Sequence, residues 1–386
     1  AYANSPSALV PASFITLLMG AIFAYYFLLM GRICKMTYTT TYREAWDITM
    51  GKKGSSLVVL TTVMMAGLGN LAYSMILADT SRSLIMAAGI GITRTGSLLL
   101  VTVFALLPLC LAKNLSVLAP FSLVGMGAMV FTLIAMGIRC FDGSYDSTKS
   151  GKFLKDIPDD LKPSFGELGA VGALSPNALL LVCMTFQAFF AHYNAPRYYM
   201  ELKDNTVQRF SKVVGTSFGI SATFYVLMTV FGFLTFGSYS DGFILNNYST
   251  NDPLASISRA AIFVAILFTF PLPFIGVRDG ILDILMVPPA QQTPTFINIL
   301  TVVILATFTV MALHFHDLGM VNAVGGGSLG TLVVFVFPAL MFRGYVKNLG
   351  HDASQFQKRE SAFSLGLMCL GIVMGSIGVW VAVSGP

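Results

Sequence analysis

Apolar side chains form long, nearly unbroken runs along this chain, and most polar residues lie between the runs. Ten runs stand out, at residues 8–31, 56–79, 96–112, 116–138, 176–195, 212–236, 255–277, 296–313, 318–342 and 362–383. A helix needs about 20 apolar residues to cross a bilayer. Barrel strands would instead show alternating apolar and polar positions. The pattern therefore predicts ten transmembrane helices, with boundaries uncertain by several residues.

Composition excludes a water-soluble fold. Of the 386 residues, 55% are hydrophobic and only 11% are charged, against about 25% charged in soluble domains. We predict that the whole chain, residues 1–386, forms one transmembrane domain that lies in the lipid bilayer. Five cysteines without C-x-x-C spacing indicate neither a disulfide framework nor a zinc site. Basic residues lie at the ends of apolar runs, which favours membrane anchoring over nucleic-acid binding.

The distribution of Lys and Arg predicts the orientation. One set of alternate loops carries 15 of them and the other carries 8, so the first set is assigned to the cytoplasm. Ala1 then lies on the outer side, which favours an additional helix before the first run over a truly external start. The polar segment 139–175 becomes a long non-cytoplasmic loop, either a lid or a solvated connector. Asn247-Tyr248-Ser249 in another outer loop fits the N-glycosylation pattern.

The richest polar pattern within a span lies in residues 182–196. Thr185, Gln187, His192 and Asn194 interrupt an apolar helix that Pro196 ends or kinks. A broken helix exposes backbone carbonyl and amide groups that can bind ions and charged substrate groups at mid-membrane. The alternative for His192 is a hydrogen bond between helices near the cytoplasmic end.

Two other segments carry candidate site residues. Thr269 precedes Pro271 and Pro273, which lack backbone donors, so its hydroxyl and the freed carbonyls form a candidate Na⁺ site. The alternative is a proline kink in which Thr269 bonds its own helix. Asn70 and Tyr73 lie deep in the second run beside glycines that permit close helix packing, which explains the glycines without a site.

The motifs of enzyme chemistry are missing from the sequence. No histidine cluster suits a metal, no glycine-rich loop opening a helix suits a phosphate, and no Ser/His/Asp arrangement suits a nucleophile. We therefore expect no enzymatic activity and no resident cofactor.

Five segments, in order, carry a resemblance to the amino acid/auxin permease family. His192, Tyr199, Glu201 and Leu202 resemble the stretch Cys-His…Tyr-x-Glu-Leu after the family's sixth helix, although Ala191 replaces the Cys and Pro196 is displaced by one position. Residues 232–237 are similar to Gly-Tyr-Leu-Thr-Phe-Gly, and are followed by Asn246-Asn247-Tyr248 and Arg259. Residues 335–340 resemble Phe-Ile-Phe-Pro-Ala-Leu, and Tyr73 with Asp79 resembles the third helix.

The resemblance implies the leucine-transporter-like fold, with two inverted five-helix repeats and an eleventh helix. Tyr2-Ala3 then resembles the end of the Pro-Tyr-Ala motif of helix one, most of which would be absent. The implied function is secondary transport of amino acids, chiefly neutral ones, by alternating access coupled to Na⁺ or H⁺. The implied membrane is the plasma membrane or an endomembrane such as the vacuole.

The resemblance also assigns roles to the candidate residues. The expected substrate-binding residues are Thr185, Phe186, Phe189, Asn70, Tyr73 and His192, with Thr269 as the candidate Na⁺ ligand. The alternative from another class is a non-transporting membrane subunit or an amino-acid sensor that keeps the fold and binds a protein partner.

Overall fold

The structure, a computed structural model, describes residues 9–112, 121–165 and 178–384, with only the backbone at residues 121 and 122. Within these ranges the regular structure is helical, apart from one isolated bridge between Ser164 and Gly237. Ten helices of these ranges are long and apolar enough to cross a membrane. The prediction of a ten-span, all-α integral membrane protein is confirmed. Tyr2-Ala3 and residues 166–175 lie outside the described residues.

The helices are numbered in chain order. They are α1 (Leu9–Thr37), α2 (Tyr42–Met50), α3 (Ser55–Ala87), α4 (Arg94–Val101), α5 (Leu107–Leu111), α6 (Phe121–Phe141), α7 (Ala178–Ala188), α8 (Ala195–Glu201), α9 (Val207–Phe236), α10 (Pro253–Thr269), α11 (Pro271–Ile284), α12 (Pro294–His314), α13 (Leu318–Gly325), α14 (Phe337–Leu349) and α15 (Gln355–Ser384). Pairs α4–α5, α7–α8, α10–α11 and α13–α14 each form one span.

Most spans are longer than the apolar runs that predicted them. The first ends at Thr37 and not at residue 31, and the second reaches Ala87 and not residue 79. Polar residues at helix ends keep the helix while the side chain reaches the interface, so apolar runs underestimate length. The predicted starts at 116 and 176 lie outside the described residues.

The short helix α2 joins α1 to α3 and was not predicted. Its first turn is a capping box: the Thr41 hydroxyl accepts from the Glu44 backbone N–H at 3.1 Å, and the Glu44 carboxylate accepts from the Thr41 N–H at 3.2 Å. These bonds satisfy donors that have no partner inside a helix. Tyr42, Ala45, Trp46 and Thr49 are buried, so one face of α2 packs against the bundle.

Helix pairing agrees with two five-helix repeats. Helix α1 packs along α9, and α3 packs along both α10 and α11. In each pair the partners are five spans apart in chain order. A two-fold axis relating two repeats brings the helices nearest to the axis against their own counterparts. This packing is the one expected of the predicted 5+5 inverted-repeat arrangement.

Residues 142–165 and 237–252 dock together at the predicted outer end, and we call them the outer cap. Asp252, fully buried, accepts from the Arg139 guanidinium at 2.7 and 2.8 Å and from the Tyr145 hydroxyl at 3.0 Å. Burial, with the added negative charge of Asp252, raises the pKa of Tyr145 well above its usual range. Tyr145, Phe153 and Ile157 are buried, so this part of the 139–175 loop is folded and not a solvated connector.

The asparagine of the outer sequon has a structural role. Asn247 is fully buried. Its amide nitrogen donates to the carbonyls of Leu161 and Tyr239 at 3.0 and 2.7 Å, and its oxygen accepts from the Asp241 N–H at 2.7 Å. Both N–H donors and the oxygen of this side chain are engaged within the outer cap, and the side chain is buried, so it is not accessible for glycosylation in this fold.

Candidate functional site

The span formed by α7 and α8 is broken at its centre, as the sequence predicts. Helix α7 ends at Ala188, a 3₁₀ turn spans His192–Asn194, and α8 begins at Ala195 with Pro196 in its first turn. The carbonyl of Ala188 points out of the helical ladder and accepts from the Tyr225 hydroxyl of α9 at 2.7 Å. The break therefore exposes backbone polar groups between two halves of one span, which is the kind of site that transporters use.

Thr185 and Phe186 precede the break and are buried. The Thr185 hydroxyl donates to the Val182 carbonyl of its own helix at 2.6 Å. The Phe186 ring lies with its centroid 5.2 Å from that of Phe23 on α1 and 5.3 Å from that of Phe335. These side chains hold α7 against α1 and against the span α13–α14.

Phe189 lies within the break and faces a cavity of about 280 Å³ between α1, the break and α9. Its ring stacks on Phe218 at 5.9 Å between centroids and meets Tyr225 edge-on at 4.9 Å. Residues 188–191 all line this cavity. The break and Phe189 thus face one opening.

His192 ties the break to α1. It is fully buried, and its Nε2 lies 3.0 Å from the Phe23 carbonyl oxygen. A carbonyl can only accept, so Nε2 must carry the proton, and Nδ1 is the unprotonated nitrogen of the neutral ring. Nδ1 has no hydrogen-bond partner among the described residues, and the ring is surrounded by Phe23, Phe27 and Phe218. This geometry is the bond between helices that was the alternative for His192.

Helices α10 and α11 meet at Phe270, where the backbone stays α-helical (φ −49°, ψ −44°), so this span contains the proline kink that was the alternative for Thr269. Pro271 and Pro273 have no N–H, so the carbonyls of Leu267 and Thr269 lose their helical donors. The Thr269 hydroxyl donates to the Ala265 carbonyl at 2.7 Å. Its oxygen lone pairs remain available to a cation, because a donating hydroxyl can still coordinate.

Asn70 of α3 lies against this proline kink. It is fully buried, and with the amide orientation that satisfies both partners it donates to the Phe270 carbonyl and accepts from the Phe274 N–H, each at 3.2 Å. That orientation is assigned from the hydrogen-bond partners, because oxygen and nitrogen of an amide look alike. Asn70 therefore joins α3 to the bent span α10–α11.

Tyr73 and Thr269 meet at a larger cavity of about 640 Å³ bounded by α3, α6, α9, α10 and the outer cap. Most of its wall is apolar, including Ile76, Phe233 and Ile262. The structure thus brings two of the predicted residues to this cavity and Phe189 to the smaller one. The other four predicted residues pack around the break and the proline kink; they are Thr185, Phe186, His192 and Asn70.

Two residues at the break were not among the predicted site residues. Tyr225 donates to the Ala188 carbonyl. Gln187 has a buried side-chain oxygen that finds no partner in the part of the chain that the structure describes, and its amide nitrogen lies close to Gly69 of α3. Gln187 could be suspected from its polarity within a span. Nothing in the sequence around Tyr225 links it to residue 188.

Comparison with known proteins agrees with the sequence resemblance. The sequence model of the family described as transmembrane amino acid transporter protein matches residues 1–384. A Bos taurus protein provisionally named sodium-coupled neutral amino acid transporter 11 is 26% identical over 354 residues, covering 90% of this chain and 71% of the relative. A Danio rerio protein of the same name is 25% identical over 348 residues, covering 88% and 73%.

Among solved structures, a Na⁺-coupled sialic acid symporter in an outward-open state aligns with a TM-score of 0.47 at 13% identity, covering 100% of this chain and 91% of that one. A mutant of the Eremococcus coleocola manganese transporter aligns with a TM-score of 0.47 at 11% identity, covering 98% and 90%. The family match extends over nearly every residue. This chain belongs to the transmembrane amino acid transporter family.

Proposed function

We propose that this protein is a secondary active transporter that carries neutral amino acids across a membrane by alternating access, driven by Na⁺ or H⁺. The observation that carries the proposal is the family match over residues 1–384. The broken span α7–α8 and the proline kink of α10–α11 support it, because both leave backbone carbonyls without helical donors, and such groups bind substrates and ions in a bilayer.

The preference for neutral substrates is supported by the wall of the larger cavity. That wall contains no Lys, Arg or Glu among the residues that the structure describes, and its single acid is Asp241. One oxygen of Asp241 already accepts from the Phe243 N–H at 2.8 Å and the Asn246 amide at 3.0 Å. An anionic substrate side chain would find no opposite charge among the described residues of this wall, so desolvating it there would be unfavourable. The relatives' names also include neutral amino acids.

Sodium is the coupling ion that we propose first. The relatives carry sodium coupling in their names, and hard cations prefer oxygen ligands. Thr269 offers its hydroxyl and its carbonyl, and the Leu267 carbonyl is freed by Pro271. We propose that a Na⁺ ion draws part of its ligands from these three oxygens.

Uptake by proteoliposomes tests the proposal. We expect labelled neutral amino acids to accumulate under an inward Na⁺ gradient and to remain near background without it. No accumulation under either a Na⁺ or a proton gradient would contradict the transport function.

Replacement of Thr269 by Val tests the ion site. The Na⁺ concentration for half-maximal uptake should rise in Thr269→Val, because an oxygen ligand is lost while the shape is kept. Thr307→Val is the matched control, since its hydroxyl also bonds its own helix, at 2.9 Å to Val303, but is exposed on α12. An unchanged Na⁺ dependence in Thr269→Val removes this residue from the site.

A further inference from the structure

The span α13–α14 contains an unusual helical turn near its middle. Residues Leu332–Val336 form a π-helical turn, in which the Phe337 N–H donates to the Leu332 carbonyl five residues back. In an α-helical turn the same N–H would donate to the Val333 carbonyl, four residues back. π-helical turns inside α-helices frequently lie at functional sites.

The π-helical turn leaves one carbonyl without a backbone donor. In this register the next donor, for the Val333 carbonyl, would be residue 338, but Pro338 has no N–H. The Tyr42 hydroxyl, from helix α2, donates to that carbonyl at 2.5 Å. Tyr42 is buried, so water does not replace this bond. The Val333 carbonyl lacks a backbone donor only in the π register, and Tyr42 supplies the missing hydrogen bond.

The two registers compete for one acceptor. If the turn became α-helical, the Phe337 N–H would take the Val333 carbonyl and Tyr42 would lose its partner. The Tyr42 bond thus stabilises the π register over the α register. Loss of the extra residue of a π turn changes the direction of side chains on one side of the turn by about 100° relative to the other.

The side chain most affected by the register is Phe335, which lies within the π-helical turn. Its ring packs at 5.3 Å from Phe186 of α7, two residues before the break, and at 5.8 Å from Phe23 of α1. Phe23 supplies the carbonyl that His192 holds. Phe335, whose position depends on the register of α13–α14, therefore contacts the broken helix at the candidate site.

Helix α2 is held at its other side as well. Arg43 forms an ion pair with Asp283 of α11, and the Trp46 ring meets Phe337 edge-on at 5.5 Å. One short helix thus contacts both α11, of the span α10–α11, and α14, of the span α13–α14.

We propose that Tyr42 is a positioning residue for transport: its hydrogen bond to Val333 holds the π register of α13–α14 and so couples the cytoplasmic helix α2 to the broken helix α7. The transport part of this inference rests on the proposed function, whereas the structural part does not. A change of register would move Phe335 relative to Phe186 and would release α2 from the bundle.

Cys34 provides a natural reporter for α2. It lies near the end of α1, is fully buried, and belongs to the same packed cluster as Tyr42 and Ala45 of α2. Cys110 is equally buried but belongs to a different cluster, formed by α3, α5, α11 and α12. Release of α2 should expose Cys34 and leave Cys110 protected.

The experiment is maleimide labelling of the full chain in membranes, with modified residues located by mass spectrometry. Cys140 and Cys369, which are not fully buried, are first replaced by Ser. In Tyr42→Phe the labelling rate of Cys34 should rise about fivefold, the factor to which one lost buried hydrogen bond corresponds. Tyr38→Phe is the control, because Tyr38 is 91% exposed in the adjoining segment, and it should leave the rate unchanged.

A second variant tests the bond to Val333 without changing Tyr42. Pro338→Ala supplies an N–H that can bond the Val333 carbonyl in the π register or the Val334 carbonyl in the α register. In both registers the Val333 carbonyl then has a backbone donor that competes with Tyr42, so Cys34 labelling should rise in this variant too. The inference is overturned if neither variant changes Cys34 labelling by more than twofold, or if Cys110 labelling rises in parallel, since that would mean general loosening. A structure of Tyr42→Phe in which Phe337 still donates to Leu332 would also overturn it.

Uptake measurements separate this inference from the proposed function. In Tyr42→Phe the maximal uptake rate should fall severalfold while KM for the amino acid changes less than twofold, because Tyr42 lies outside the cavities that would hold substrate. If the unmodified protein takes up nothing, the proposed function fails, and the labelling result still decides the role of Tyr42 in the register. A changed KM with an unchanged maximal rate contradicts the positioning role.

Discussion

Asn70 gives a direct test of how α3 holds the bent span α10–α11. Replacing it by Ala removes one hydrogen bond to the Phe270 carbonyl and one to the Phe274 N–H, both within the bundle. A buried hydrogen bond contributes about 1 kcal/mol net, so Asn70→Ala should lower the free energy of unfolding by about 2 kcal/mol. At roughly 2 °C per kcal/mol for a large chain, the thermal midpoint should fall by about 4 °C.

The assay is thermal unfolding of the purified protein in detergent, followed by tryptophan fluorescence and by size-exclusion chromatography. Ser74→Ala is the matched control one turn further along α3, because its hydroxyl bonds only the Asn70 carbonyl of the same helix, at 3.0 Å. Its midpoint should change by less than 1 °C.

Asn70→Asp makes the test sharper because Asp has nearly the same shape. The carboxylate keeps an acceptor for the Phe274 N–H but loses the donor and turns an oxygen toward the Phe270 carbonyl. Asn70→Asp should therefore lower the free energy of unfolding more than Asn70→Ala does. If Asn70→Ala unfolds within 1 °C of the unmodified protein, or Asn70→Asp is the more stable of the two, the bridging role assigned to Asn70 is wrong.

Three further outcomes are expected. Asp252→Ala should destabilise the outer cap by about 3 kcal/mol, because Arg139 is left without its buried partner, and limited proteolysis within residues 142–165 should become faster. Asn247→Gln should change the mass of the protein from glycosylating cells only by the one added methylene and should lower its thermal midpoint, whereas a lost glycan would refute its buried role. The backbone N–H of Thr40, with further bonds from Thr40 and Thr41, holds the pKa of Glu44 below its usual 4.5; the stabilisation is therefore complete above pH 4.5 and declines as the pH falls through the lower folded-state pKa. Glu44→Gln should flatten this part of the stability curve measured by hydrogen exchange in α2.

The number and type of spans follow from the sequence because the bilayer imposes one simple requirement. Each crossing needs about 20 apolar residues in a helix, and ten runs of that kind became ten helices. Helix α2 could not be found in the same way. It is nine residues long with a mixed composition, and it becomes stable through burial of Tyr42 and Trp46 against distant parts of the chain.

The break and the proline kink were predictable, whereas the direction of the side chains around them was not. Proline removes a backbone donor wherever it occurs, so Pro196 marked the break and Pro271 the kink. Whether a hydroxyl or an amide then faces a cavity depends on helix rotation and on partners far along the chain. Asn70 bonds residues two hundred positions away, and no local pattern encodes that distance.

The π-helical turn shows the same limit. Glycines at 325–327 and Pro338 signal an irregular helix, but the partner that stabilises the irregularity, Tyr42, lies 291 positions earlier. Local rules identify where a backbone group lacks a donor. Only the fold identifies the side chain that supplies one.

The outer cap has a consequence for immunochemistry. Tyr145, Phe153 and Ile157 have their side chains buried against α9 and the 237–252 segment, and Gly237, at φ 64°, allows the Ser164 carbonyl to approach so closely that a Cβ would lie 2.1 Å from it. An antibody raised against a free peptide from this segment would meet those side chains exposed, and in the folded protein it would find them hidden. Binders for this face should therefore be selected against the intact, folded protein, because the epitope consists of residues from two distant segments.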